Sequence, residues 1–144
     1  MKTNASFWDS SALLLLCLNQ AGTIRARGLS RQLPMKFVWW GTPVEVESAL
    51  CRLHDKGGLD DAGFQQAQRT WQVMRKSLLE VAPRERVQEL AEEAPAKYGL
   101  RALDSFQLAA ALAWCRERPR NRAFVTFDDR LGEAARKAGF SVHG

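Results

Sequence analysis

The sequence predicts an α/β sandwich, in which helices flank a mostly parallel central sheet on both faces. Short apolar stretches rich in aromatic and β-branched residues alternate along the chain with longer segments of helical character. Parallel strands must be joined by crossover connections, usually helices, and this alternation supplies them. The length of 144 residues fits one domain, 1–144, with a hydrophobic core.

Capping and breaking residues divide the first half of the chain into two strands and four helices. Ser10 or Ser11 can cap the first helix, which Gly22 ends, and Pro34 stops the second helix. Pro43 suits the first turn of the third helix. The expected elements are, in order, a strand at 6–8, helices at 12–20 and 23–33, a strand at 36–40, and helices at 42–56 and 60–79.

The second half of the chain alternates short strands with helices. Pro83 can open one helix, which we expect Pro95 to shorten or kink. Gly99 leads into an apolar helix, and Gly139 suits the end of the last helix. The expected elements are a strand at 79–82, helices at 83–98 and 102–117, a strand at 122–127, a helix at 128–137 and a strand at 140–142.

Four carboxylates stand where an ionised side chain is costly. Asp9 and Asp128 each directly follow an apolar strand, and Glu45 opens the helix after another strand. Asp104 is the only formal charge in the apolar segment 102–115. Sites in open α/β sheets lie at the carboxyl ends of the strands, so we expect three of these acids, Asp9, Glu45 and Asp128, to converge. A shared divalent cation is the simplest single explanation for all four.

Ordinary structural roles compete with metal binding at these positions. Asp128 is a common type of residue at a helix N-terminus, where the helix dipole favours an acid. Asp104 could pair with Arg101 instead, although the surface is a cheaper place for such a pair. Glu45 and Glu47 flank the apolar stripe of one helix on opposite sides, so periodicity does not choose between them.

The basic balance of the chain allows two interpretations. A net charge of +5 favours an anionic partner, although a basic surface kept for solubility explains that charge equally well. Alternating arginines precede the strand at 122–127, as a solvated turn or as a phosphate-contacting rim. The possible RNA-binding residues are Arg116, Arg118, Arg120 and Arg122.

The cysteines and the missing motifs narrow the class of protein. Cys17, Cys51 and Cys115 are far apart, odd in number and in apolar helical segments, which is typical of buried reduced thiols in a cytoplasmic protein. No apolar run approaches the roughly 18 residues of a membrane span, so we expect no membrane partner. Glycine-rich nucleotide-binding loops and the serine-hydrolase elbow are absent from the sequence.

Four segments resemble the acidic motifs of the PIN-domain family, and together they run over nearly the whole chain. The segments are FWDSSAL at 7–13, TPVEVESAL at 42–50, YGLRALDSFQLAAAL at 98–112 and FVTFDDRLGEAARKAGF at 124–140. The third is the most specific. The size and single-domain build are similar to those of VapC-type toxins from bacterial toxin–antitoxin pairs.

The resemblance implies a PIN-like fold and a ribonuclease that depends on Mg²⁺ or Mn²⁺. It places metal ligands at Asp9, Glu45, Asp104 and Asp128, and family spacing favours Glu45 over Glu47. Hydroxyl groups that line the site are expected at Ser11 and Thr126. Two departures from the family pattern, Trp8 for an aliphatic residue and Gln107 for a frequent histidine, remove no metal ligand.

Partners also follow from the resemblance. RNA is the expected substrate, a cognate antitoxin is the expected protein partner, and we expect a homodimer. The antitoxins of such toxins lay an apolar helix or tail across the toxin. The surface expected to receive it consists of Leu13, Leu16 and Cys17 on the first helix with Leu29 and Leu33 on the second.

The expected chemistry is hydrolysis by metal-activated water, in which one metal lowers the pKa of a bound water. A second metal would stabilise the leaving oxygen, and the sequence leaves the number of metals open. One alternative is a catalytically inactive PIN-like module that binds RNA or a protein. Another is a receiver-type phosphoacceptor, which an acid on a helix at Asp104 fits poorly.

Overall fold

The computed structural model describes residues 4–144, which form seven helices and five strands. The predicted domain, 1–144, thus includes three residues outside the described range. The strands are β1 (Ala5–Trp8), β2 (Met35–Trp39), β3 (Leu79–Val81), β4 (Ala123–Val125) and β5 (Ser141–His143). The helices are α1 (Ser10–Leu16), α2 (Thr23–Gln32), α3 (Thr42–Asp55), α4 (Asp61–Arg75), α5 (Glu85–Tyr98), α6 (Ala102–Trp114) and α7 (Asp129–Ala138). None of these helices combines the length and apolar composition that crossing a membrane requires.

The strands form one sheet in the order β3-β2-β1-β4-β5, and every neighbouring pair is parallel. The prediction of an α/β sandwich with a mostly parallel sheet is confirmed. From the central β1 the chain moves outward through β2 and β3, then returns to the other side of β1 with β4 and β5. The strand order therefore reverses between β1 and β4, where open α/β sheets place their sites.

Both faces of the sheet are buried. Successive side chains of a strand point to opposite faces. Phe7 and Phe124 accordingly pack with α5, α6 and α7 on one face, and Trp8 and Val125 pack with α1 to α4 on the other. Residues of both kinds are fully buried, as a parallel sheet covered on both sides requires.

α4 ends at Arg75 rather than at residue 79, and two other helices also end earlier than predicted. α1 ends at Leu16 rather than at residue 20. At this end the Thr23 hydroxyl donates to the carbonyl of Leu15 at 3.0 Å, which satisfies one of the free carbonyl groups of the last turn. α6 ends at Trp114 rather than at residue 117, because Arg116 and Glu117 adopt left-handed backbone conformations with φ of 55° and 59°. Both endings depend on local geometry that the hydrophobic pattern does not contain.

Two further expectations about the second half of the chain need correction. Pro95 does not shorten α5, which continues to Tyr98. β4 covers only Ala123–Val125 rather than 122–127, because the next residues leave the sheet to enter the candidate site. The expectation of a short strand at 79–82 is confirmed by β3.

The prediction of a surface that receives an antitoxin is wrong for three of its five residues, because they are buried. Leu13, Cys17 and Leu29 are at most 9% exposed and belong to the core cluster formed by α1 to α4. Leu16 and Leu33 are only partly buried, but they too pack against that cluster. The apolar residues of the first two helices are thus covered, because α1 packs on both α2 and α3.

The expectation of three buried thiols is wrong for one cysteine. Cys17 and Cys115 are buried, at the C-terminal ends of α1 and α6. Cys51 is exposed, because α3 turns Val46 and Leu50 toward the core and Cys51 lies on the opposite side.

Candidate active site

The four predicted acids come from separate elements on one edge of the sheet. Asp9 directly follows the central strand β1 and caps α1. Glu45 lies in the first turn of α3, which follows β2, and Asp128 caps α7 just after β4. Asp104 lies in the first turn of α6, whose far end leads back to the start of β4. The topology therefore brings all four to the carboxyl ends of the strands.

Asp9 is a buried carboxylate held by neutral donors. It is 2% exposed and accepts hydrogen bonds from the Thr126 hydroxyl at 2.6 Å and the Ala12 amide at 3.0 Å. The Ser11 hydroxyl lies 2.8 and 2.9 Å from its two oxygens. Burial raises the pKa of Asp9 to about 6, an effect that these hydrogen bonds reduce and the nearby Asp128 charge increases. Proton uptake by this group is therefore possible near neutral pH.

The hydroxyls of Ser11 and Thr126 connect two elements through Asp9. Besides donating to Asp9, Ser11 accepts from the amide of Phe127 at 3.0 Å, and Thr126 accepts from the amide of Asp128 at 3.1 Å. These bonds fix the start of α1 to the segment between β4 and α7. The structure thus places both predicted hydroxyls against the buried acid.

Glu45 faces the other acids, and Glu47 does not. Its two oxygens accept from the Ser10 hydroxyl at 3.0 Å and from the Gln107 amide nitrogen at 3.1 Å. Burial raises the pKa of Glu45, these two hydrogen bonds lower it, and the Asp104 charge raises it. Glu47 instead lies against two glutamines of α4, on the opposite side of α3. Packing on both sides of α3 separates two residues that periodicity leaves equivalent.

Gln107 is a buried amide with an unused acceptor. It is 1% exposed, and its nitrogen donates to Glu45 and, at 2.9 Å, to the Thr42 hydroxyl. Its carbonyl oxygen has no hydrogen-bond partner among residues 4–144. The sequence marks Gln107 only as a departure from a family pattern, although a lone amide in an apolar helix is itself a signal of a polar contact.

Asp104 and Asp128 form the open side of the site. Burial and the charge of Asp128 raise the pKa of Asp104, while Arg130 and Arg101 lower it. Within the described residues neither arginine lies at ion-pair distance from Asp104, so the alternative pairing with Arg101 is not formed. Asp128 does cap its helix, since one of its oxygens accepts from the Leu131 amide at 2.9 Å.

The charges repel one another in a continuous series, from Asp9 through Asp128 and Asp104 to Glu45. None of the four acids is paired with a cation in the part of the chain that the structure describes. Hard carboxylate oxygens suit Mg²⁺ or Mn²⁺, so the donor chemistry fits such a cation. As the side chains stand, no group of three or more Asp, Glu, His or Cys residues within 4–144 is spaced to hold a metal ion.

The predicted arginine loop lies away from this site. Residues 116–122 connect the end of α6 to the start of β4, and therefore occupy the amino edge of the sheet. Arg122 lies over the ring of Trp114 at 5.6 Å, and with Arg120 it lines a separate cavity of about 890 Å³. The structure does not bring Arg116, Arg118, Arg120 and Arg122 to the acids, so this loop is not a rim of the candidate site.

Other cations do border the acids. Arg101 and Arg130 act on Asp104, and Arg52 lines a cavity that also contains Glu45. None of the three forms an ion pair within residues 4–144. Sequence reasoning missed Arg52 and Arg130, because their positions near Glu45 and Asp104 follow from the fold and not from a pattern along the chain.

The cavity containing Glu45 is a groove of about 330 Å³ between α1 and α3. Its apolar lining includes Leu14, Val44, Leu103 and the edge of Trp39. Trp39 is 8% exposed, whereas the neighbouring Trp40 is 57% exposed. Glu45 is the one of the four acids that lines the groove.

Fold and site together define an α/β protein with a cluster of carboxylates at the switch point of a parallel sheet. No protein-family model and no curated protein matches the chain. Among solved structures, it is similar to the crystal structure of PAE2754 from Pyrobaculum aerophilum, with a TM-score of 0.59 and 21% sequence identity. The match covers 99% of this chain and 92% of that chain. At this level of identity the likeness shows a shared fold alone.

Proposed function

We propose that the protein is a metal-dependent endoribonuclease of the PIN-domain family and acts as the toxin of a toxin–antitoxin pair. The observation that carries the nuclease proposal is the series of four repelling carboxylates, drawn from four elements and not paired with a cation among residues 4–144. Such an arrangement is costly for the protein alone and is relieved by a divalent cation. The toxin assignment rests on the motif resemblance and the size of the chain.

Each of the chain's own groups has a defined part in the proposed reaction. Asp9, Glu45, Asp104 and Asp128 would hold Mg²⁺ or Mn²⁺, which when bound lowers the pKa of a water molecule near the phosphodiester. Hydroxyl groups orient Asp9, and a hydroxyl and the Gln107 amide orient Glu45. The arginines beside the acids would attract the RNA backbone.

Cleavage of single-stranded RNA in the presence of Mn²⁺ tests the nuclease proposal. Asp104→Asn keeps the size of the side chain and removes its charge, and is expected to abolish cleavage with the fold retained. Asp55→Asn is the matched control, since Asp55 is exposed near the far end of α3. An Asp104→Asn protein that cuts RNA at the wild-type rate contradicts the assignment. RNA binding without cleavage in any divalent cation supports the inactive module instead.

Expression in cells tests the toxin proposal separately. Wild-type protein expressed alone is expected to arrest growth, and the Asp104→Asn variant is not. Co-expression with a small neighbouring gene is expected to restore growth and to yield a complex that co-purifies. If the wild-type protein is harmless at high expression and no neighbour binds it, the toxin proposal fails and the nuclease proposal is judged by the cleavage assay.

A further inference from the structure

We infer that the groove between α1 and α3 binds one nucleotide of the RNA next to the cleaved phosphate, with its base between Val44 and Leu103 and its following phosphate on Arg52. The inference rests on the proposed function, since it takes RNA as the ligand. It assigns a binding role to Val44, Leu103 and Arg52, none of which is one of the four acids.

The two ends of the groove carry opposite charges. Glu45 and Arg52 both line it and lie seven residues apart on α3, which is two turns or about 10 Å along the helix. Arg52 has no ion-pair partner in the described part of the chain. One end thus adjoins the carboxylates where the scissile phosphate would sit, and the other presents a free guanidinium to an anion.

The wall at the acid end is apolar and open to water, since Val44 directly precedes Glu45 on α3 and Leu103 directly precedes Asp104 on α6. Val44 is 73% exposed and Leu103 is 62% exposed, although both are large apolar side chains beside a charged site. Trp39, which also lines the groove, stacks on Phe106 with ring centroids 5.3 Å apart and an interplanar angle of 7°. This stacking holds the Trp39 ring in place. An apolar wall with a hydroxyl group nearby, here Ser48, suits a planar base that has apolar faces and polar edges.

The size of the groove favours a nucleotide over a protein helix. Its volume of about 330 Å³ lies at the small end of the range for ligand pockets, roughly 300–1,000 Å³. A docked amphipathic helix needs a longer apolar stripe, with anchors over two or more turns. Here α3 contributes one large apolar side chain to the groove, Val44, and the rest of its lining on this helix is Glu45, Ser48, Ala49 and Arg52.

The test compares groove and control variants on a single-stranded oligoribonucleotide of mixed sequence in Mn²⁺. The groove variants are Arg52→Ala and the double variant Val44→Ser with Leu103→Ser. Val73→Ser is the matched control, because Val73 is 71% exposed on α4 and lies outside the groove. We expect the groove variants to raise KM about five- to tenfold with little change in kcat, and the control to match wild type. Thermal unfolding checks that all variants fold.

A second oligomer, in which abasic sites replace the bases, separates base from phosphate binding. We expect the KM of the wild type to be higher on the abasic oligomer than on ordinary RNA. On the abasic oligomer, the KM of the double variant should equal that of the wild type. Arg52→Ala is expected to weaken binding of both oligomers. Suppose that the wild type cleaves RNA. A double variant with the wild-type KM on ordinary RNA, or with the same rise in KM on both oligomers, then overturns this inference and leaves the proposed function standing. Wild type that cleaves no RNA in Mn²⁺ or Mg²⁺ overturns the proposed function and this inference with it.

Discussion

Gln107 orients Glu45 through a hydrogen bond from a buried amide. Its amide nitrogen donates to one oxygen of Glu45 and to the buried Thr42 hydroxyl, and its own carbonyl oxygen has no partner among residues 4–144. Replacing it with leucine leaves both acceptors without this donor, so we expect the free energy of unfolding to fall by about 1–3 kcal/mol. We expect Mn²⁺ affinity, measured by calorimetry, to fall about 10- to 100-fold, as for other groups that orient metal ligands.

Gln88→Leu provides the matched control, since Gln88 is exposed on α5. Gln107→Asn, with a shorter amide, is expected to recover part of the lost affinity. Unchanged Mn²⁺ affinity in Gln107→Leu shows that the hydrogen bond to Glu45 has no part in metal binding.

The cysteines differ in their access to reagents. Burial, with a smaller contribution from the Glu47 charge, raises the pKa of the Cys17 thiol to about 12, so almost no reactive thiolate forms at pH 8. We expect iodoacetamide to label exposed Cys51 in the folded protein and Cys17 only after unfolding, as mass spectrometry of peptides would show. A Cys51→Ser protein should remain unlabelled when folded, and rapid labelling of Cys17 in that variant refutes the burial of α1.

At this scale the sequence predicts the acids well, because a charge inside an apolar segment is visible without a structure. It does not separate Glu45 from Glu47, since the choice depends on what packs against each side of α3. The sequence also does not predict the position of Arg52 or the role of Gln107. Both depend on contacts between α3 and elements far away along the chain.

Helix α7 depends on an acid that the proposed site also uses. Asp128 accepts from the Leu131 amide as an N-cap and bears one of the four charges. Asparagine keeps the acceptor and removes the charge, whereas alanine removes both. We expect Asp128→Ala to be about 1 kcal/mol less stable in urea than Asp128→Asn, because both variants lose the charge and only alanine loses the cap.

Both Asp128 variants are expected to lose Mn²⁺-dependent cleavage, which separates the cap from the site. Asp129→Asn, one residue later and exposed, is the control that should keep both stability and activity. Cleavage that survives in Asp128→Asn but not in Asp128→Ala assigns Asp128 to the helix alone.

The sequence predicts the order of elements, because each strand and helix has its own period and its own capping residues. It misplaces the ends that are set by distant groups. β4 stops where Thr126 turns to bond Asp9, and α1 stops where Thr23 meets its last carbonyls. The sequence also does not show which apolar residues of α1 and α2 stay exposed. A helix with two apolar sides can pack against a neighbour on either side, and the sequence does not say which.

Over the whole molecule, the acids make the stability of the metal-free protein depend on pH. Asp9 binds a proton more tightly when folded than when unfolded, because burial raises its pKa from 3.8 to about 6. Its contribution is therefore fully present below about pH 4 and is lost as the pH rises through 6, a change of about 3 kcal/mol. Burial raises the pKa of Glu45 and Asp104 as well, so both act in the same direction.

Urea unfolding in EDTA between pH 4.5 and 7.5 measures this effect as the difference between wild type and Asp9→Asn. We expect the wild type to lose stability relative to the variant as the pH rises. At pH 7, Mn²⁺ at a hundredfold excess over its Kd should restore about 2.7 kcal/mol to the wild type. A difference between the two proteins that does not vary with pH shows that Asp9 titrates normally.

The central position of β1 has a consequence for how the protein is made. β1 is synthesised first, but its neighbour β4 and the acid that follows it come more than a hundred residues later. A nascent chain can form β1, β2 and β3 with their helices while one edge of β1 stays open and Asp9 lacks Thr126. Any chemistry that needs all four carboxylates therefore begins only after translation has passed residue 128. Until then the open edge is a place where a chaperone, or the β4–α7–β5 segment of a second copy, can pair.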